Sequence, residues 1–178
     1  WTAVFLMNVF ITGASRGLGK ELAHVFKENL HQVYVHKRIH DASDKIEANI
    51  IGDLEERQTW IDIIEFINRN NMHAVIHNAG TLIQDDAERL IKVNLIAPIF
   101  ITENIIDTMA VRRSGLIVFI NSLAGKVFSA EESIYCASKW GLRGYSGSIK
   151  YKARKHGIRV LDIFLGAMNT DMTAGKDN

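Results

Sequence analysis

Short apolar runs rich in Val, Ile and Phe alternate along this chain with longer segments whose apolar residues recur at helical spacing. That alternation narrows the fold more than any other feature, because each period suits a different backbone. Residues 7–12, 32–36, 48–52, 74–77, 116–120 and 159–165 read as strands. They are apolar at nearly every position, so burial on both faces is expected, as in parallel strands covered by helices. Helices are expected at 18–29, with Leu22, Val25 and Phe26 buried, and at 54–70, with Trp60, Ile63, Ile64 and Ile67 at helical spacing. Two more are expected at about 85–109 and 133–156. Strand–helix alternation of this kind predicts a doubly wound α/β sandwich of three layers. The right-handed crossover rule then gives the parallel strand order 3-2-1-4-5-6. Two places depart from regularity. The connection 37–47 has little apolar content, so a turn or two at most is expected there. Pro98 falls inside the 85–109 pattern, where it should kink or restart the helix.

At 178 residues the chain is large enough for one domain with a substantial core, and no repeat, low-complexity tract or linker divides 1–178. A formal net charge of +1 gives no case for nucleic acid or an anionic membrane as partner. The single cysteine, Cys136, excludes an internal disulfide and fits a reducing compartment. No apolar run reaches the length of a membrane span. The opening stretch 1–12 contains Asn8, lacks a basic start and runs into a glycine turn, so it reads as a strand with a short leader. Met7 could be the natural start, with 1–6 as upstream or vector sequence. A cytoplasmic protein is expected.

The turn Thr12-Gly13-Ala14-Ser15-Arg16-Gly17-Leu18-Gly19 leaves the first strand and opens the first helix. In that context three glycines suit a dinucleotide. Gly13 permits the tight turn, Gly17 lets the backbone approach a pyrophosphate, and Gly19 allows close helix–strand packing. The helix N-terminus adds free N–H groups and a positive dipole end. No Gly-Lys-Ser/Thr ending is present, which argues against a P-loop. After the second strand come Lys37 and Arg38, with no carboxylate until Asp41. With Arg16 these cations would favour a 2′-phosphate, so NADP(H) is expected over NAD(H). The alternative is that Lys37 and Arg38 are solvated surface charges.

Tyr135 and Lys139 stand four positions apart on the 133–156 helix, side by side on one face. An ammonium beside a phenol favours phenolate, so Tyr135 is expected to be drawn toward neutral pH. The pair alone is a spacing any helix can contain. His73 and His77, and His36 and His40, do not converge with a third ligand, so no metal site is expected.

Taken together, these motifs resemble the short-chain dehydrogenase/reductase family, a Rossmann-type fold. The glycine turn matches at 12–19, and the family's Asn-Asn-Ala-Gly appears as His77-Asn78-Ala79-Gly80. Asn94 in Val93-Asn94-Leu95, Ser122 in Ile120-Asn121-Ser122, and Tyr135 with Lys139 match its catalytic set. The resemblance implies that Tyr135 is the general acid or base as hydride moves, and that Ser122 orients the carbonyl oxygen. It implies that Lys139 lowers the phenol pKa and holds the nicotinamide ribose, while Asn94 holds a relay water. Asp53, followed by Leu54, matches the acidic residue beside the adenine. Gly166 and Thr170 match the segment that meets the nicotinamide carboxamide, although Leu165 stands where the family has proline. The sequence given stops at Asn178, short of the substrate loop and seventh strand of ordinary members. An enzyme acting on a small carbonyl or alcohol is the first expectation, with homo-oligomers (a dimer or tetramer) as in many relatives. An NADP(H)-binding regulator with little turnover is the alternative.

Overall fold

In the computed structural model, residues 6–40, 44, 46–83 and 85–166 are described. The chain runs β1 (Asn8–Ile11), α1 (Gly17–Glu28), β2 (Gln32–Lys37), β3 (Ile50–Ile51), α2 (Arg57–Arg69) and β4 (Ala74–His77). It continues with α3 (Ala87–Ile91), a π-helical turn (Lys92–Ile96), α4 (Ala97–Arg112), β5 (Gly115–Ser122), a short 3-10 turn (Leu123–Gly125), α5 (Ser133–Lys155) and β6 (Ile158–Leu165). The strands form one parallel sheet in the order β3-β2-β1-β4-β5-β6, as expected.

Alternation along the strands divides the core. Phe10 of β1 faces α2, α4 and α5, packing with Trp60, Ile63, Ile101, Ile105 and Leu142. Its neighbours Val9 and Ile11 face the other way, with Ala23 of α1, Val35 and Ile76. Each large aliphatic or aromatic side chain so buried contributes about 1.5–3 kcal/mol relative to exposure. The α1 layer covers only part of the sheet. Leu161 and Ile163 of β6 remain 47% and 39% exposed, so the expectation of burial on both faces fails at that strand.

Val25 is also corrected: it is 52% exposed, because the inward stripe of α1 runs through Gly19, Leu22, Ala23 and Phe26. β3 is shorter than expected, two residues rather than five. No helix joins β2 to β3 among the described residues, in line with the meagre apolar content of that connection.

The long helix expected at 85–109 is interrupted at the π-helical turn, where Ala97 N–H donates to Lys92 O, five residues back. Pro98 follows immediately, at the start of α4. Its ring has no N–H for the Asn94 carbonyl and would crowd that carbonyl in a regular helix, so the wider turn relieves both problems. No helix among the described residues is long and apolar enough to cross a membrane.

Candidate active site

The carboxyl ends of β1, β4 and β5 converge on one cleft of about 450 Å³. Its near wall is the turn after β1. Thr12 Oγ accepts the N–H groups of Asn78 (3.1 Å) and Ala79 (3.2 Å), and Asn78 Nδ2 donates to the carbonyls of Thr12 and Gly13, both at 3.0 Å. The ends of β1 and β4 are thereby clamped together. Gly13 is required: its φ is +71°, and a Cβ there would lie 2.6 Å from Ala79 Cα. Its N–H donates to His36 Nδ1 (3.2 Å), while His36 Nε2 reaches Gly52 O at 2.9 Å. A backbone N–H can only donate, so Nδ1 accepts and the ring proton sits on Nε2. Burial lowers the His36 pKa, which suits this neutral tautomer.

No side chain caps the start of α1 at Arg16, and Gly13, Ser15, Arg16, Gly17, Leu18 and Gly19 all line the cleft. Arg38 lines the same corner, and its N–H donates to Ser15 Oγ (3.1 Å). Lys37 does not join them. It is buried, and its Nζ donates to Asp44 Oδ2 (2.7 Å) and Ile46 O (2.6 Å). Successive residues at the end of a strand point to opposite sides, and the ammonium of Lys37 is neutralised by Asp44 away from the cleft. Two arginines, not three cations, therefore mark this corner. On the adjoining wall Asp53 Oδ2 accepts from Arg89 at 3.1 Å, and Leu54, Ala79 and Gly80 complete the lining.

The far end holds the other matched residues. Ser122 ends β5 and hydrogen-bonds Tyr135, in the first turn of α5. Lys139 Nζ lies 5.6 Å from the centre of the Tyr135 ring and donates to Ile120 O at 3.2 Å. Burial pushes the Tyr135 phenol above its usual value, the Ser122 hydrogen bond pulls it down, and Glu132 pushes it further up. The net direction is upward, which corrects the expectation that Lys139 draws it toward neutrality. Lys139 is itself lowered to about 8 by burial, with Asp162 opposing the shift. Desolvation is the largest cause of both shifts.

Asn94 is buried in the π-helical turn. Its Oδ1 accepts from Thr81 N–H (2.8 Å), and its Nδ2 donates to Thr81 O (2.8 Å) and Ser138 Oγ (3.4 Å). It thus fastens the backbone after Gly80 to α5. Gly166 lies at the cleft rim, and Thr170 is outside the described residues. Among the described residues no group of three His, Cys, Asp or Glu could hold a metal ion. His77, in place of the family's first asparagine, is fully buried, bonded to Thr102 Oγ at 2.9 Å and stacked on Phe119.

A family model described as short chain dehydrogenase matches residues 7–178. The chain belongs to the short chain dehydrogenase family. A sepiapterin reductase of Chlorobaculum tepidum is 27% identical over an alignment covering 96% of this chain and 81% of that protein. A 3-oxoacyl-(acyl-carrier-protein) reductase FabG of Rickettsia typhi is 28% identical, covering 92% and 73%. Among solved structures, a metagenomic short-chain oxidoreductase in complex with NADP superposes with a TM-score of 0.79 at 27% identity, covering 90% of this chain and 82% of that one. As a short chain dehydrogenase the chain is an oxidoreductase by family. The family motifs led to neither His36 nor Arg89 nor Asp162. Their partners lie 16 or more positions away in sequence, so no local signal could have announced them.

Proposed function

We propose that this chain is an NADP(H)-dependent oxidoreductase that interconverts a carbonyl and an alcohol, with Tyr135 as general acid or base. One observation carries the reading: a single cleft has Arg16 and Arg38 at one end and the Ser122–Tyr135–Lys139 group at the other. The cleft fits the cofactor on this chain's own terms. The glycine turn and the uncapped start of α1 suit a pyrophosphate, and the two guanidiniums suit a 2′-phosphate. Asp53 and Leu54 would flank the adenine, and Asn78, Ala79 and Gly80 would back the nicotinamide ribose, with Lys139 as its hydrogen-bond donor. Gly166 and Thr170 are assigned to the carboxamide end on the family pattern. NADPH, when bound, supplies the hydride.

The protein supplies the proton and its placement. Raised further by burial, the Tyr135 phenol is protonated at neutral pH, the state a donor needs. The Ser122 hydroxyl and the phenol converge where a carbonyl oxygen would gain charge. Asn94, tied to Thr81 and Ser138, is assigned a positioning role and the site of a relay water. The relatives named as reductases support the reductive direction.

The test is NADPH oxidation against a panel of aldehydes and ketones, together with binding of NADPH and NADH to the wild type, Arg38→Ala and Arg16→Ala. NADPH should bind more tightly than NADH, and loss of either guanidinium should weaken NADPH by about tenfold while sparing NADH. Equal affinity for the two cofactors would remove the NADP(H) assignment. Turnover in Tyr135→Phe equal to that of the wild type would remove the acid–base assignment.

A further inference from the structure

Beneath the Tyr135–Lys139 pair lies a buried polar cluster that the proposed chemistry leaves unused. Asp162, near the middle of β6, directs a carboxylate toward α5. Its Oδ2 accepts from Ser146 Oγ of α5 at 2.6 Å and from Asn121 Nδ2 of β5 at 3.3 Å. The same Asn121 amide donates to the backbone carbonyl of Lys139 at 3.3 Å, while Asn121 Oδ1 accepts from Ser122 N–H at 2.9 Å. One amide thus joins the carboxylate to the residues before and behind Tyr135. Asn121, Lys139 and Ser146 are all buried, and Asp162 Oδ1 is shielded from solvent with no hydrogen-bond donor among the described residues. A carboxylate oxygen left without a donor in such a place is costly unless a nearby positive charge offsets it. A buried ammonium has the matching need.

We propose that Asp162 is a positioning residue, the counter-charge that keeps Lys139 an ammonium ion and ties its helix to β5 and β6. The charges facing Lys139 support this. Its own helix brings the phenol of Tyr135 and, one turn earlier, Glu132 at the cleft; one turn later Arg143 is engaged with Gly125 O. β5 presents Asn121 and Ser122 and the π-helical turn presents Asn94, all uncharged. β6 presents Asp162. Burial drives the Lys139 pKa down to about 8, and Asp162 is the group that drives it back up. Without that carboxylate the lysine would turn neutral at a lower pH and lose its attraction for a phenolate.

The importance of this role rests on the proposed acid–base reading, but its test does not. The full chain without cofactor is followed by NMR with isotope-labelled lysine and aspartate, and Lys139 is titrated in the wild type, Asp162→Asn and Ser146→Ala. Both hydrogen bonds to Asp162 fall on one oxygen, so the amide can keep them while removing the charge. The expected result is a shift of the Lys139 midpoint to lower pH in Asp162→Asn and an unmoved midpoint in Ser146→Ala. An unmoved midpoint in folded Asp162→Asn, or the same shift in both variants, would overturn the proposal. Should Asp162→Asn fail to fold, the wild type still decides: the Asp162 carboxyl carbon must show a step at the Lys139 midpoint, and its absence would overturn the proposal too. Failure of NADPH oxidation bears on the enzyme reading alone.

Discussion

Tyr135 and His77 show how burial, rather than neighbouring charge, sets protonation in this chain. Replacing Tyr135 with Phe keeps the ring and removes the proposed proton donor. Activity should fall by about 10²–10⁴-fold, with NADPH affinity changed little, as steady-state kinetics and a binding titration would show. His77 makes a pH prediction for stability. Its folded pKa is about 3 against 6.5 for the free group, so between those values the unfolded chain takes up a proton that the folded chain refuses. The stability is fully present above pH 6.5 and is lost as pH falls toward 3, by up to about 4–5 kcal/mol from this residue. Urea unfolding at a series of pH values should show that acid limb, and His77→Asn should flatten it. Lys139 acts in the alkaline range: its folded value of about 8 lies below 10.5, so stability gains as pH rises between them.

Among the elements, the connection after β2 and the break before α4 depend most on single side chains. The Lys37–Asp44 pair stands in for a packed crossover helix, with both side chains 1% exposed and Lys20 a further 3.7 Å cation beside Asp44. Asp44→Ala would leave a buried ammonium uncompensated and should cost about 3–5 kcal/mol in chemical denaturation. The break before α4 has a different purpose. The π-helical turn admits Pro98 and places Asn94 where it holds both polar groups of the Thr81 backbone. Asn94→Ala should destabilise the fold by about 2–3 kcal/mol, because it orphans buried groups as well as removing bonds. Hydrogen exchange should show the loss first at Thr81. Gly157, at φ +73° between α5 and β6, closes another junction, since a Cβ there would sit 2.4 Å from Arg113 O.

For the whole molecule, binding in the cleft should stabilise the fold, because the cleft walls come from elements far apart in sequence. NADPH at about 100 times its Kd should add about 2.7 kcal/mol and raise Tm by several degrees, more than NADH at the same concentration. Differential scanning fluorimetry would check this.

Much of this protein was legible in the order of its residues. Short continuous apolar runs and the 3.6-residue period are local properties, so the strand–helix alternation and the sheet order followed from them and from the chirality of the crossover. The glycine turn and the Tyr135–Lys139 spacing are likewise local, and the matched motifs pointed to the family. Charge state and direction were not local. Lys37 and Arg38 read alike as neighbouring cations, yet one is neutralised by Asp44 and the other lines the cleft. The Tyr135 phenol was expected to fall in pKa and instead rises, because its environment depends on how deeply α5 packs against β5. Asp162 meets Ser146 and Asn121 only because β5, β6 and α5 close on one another. A sequence states which groups exist and how near they lie along the chain; desolvation and partners across space exist only once the chain is packed.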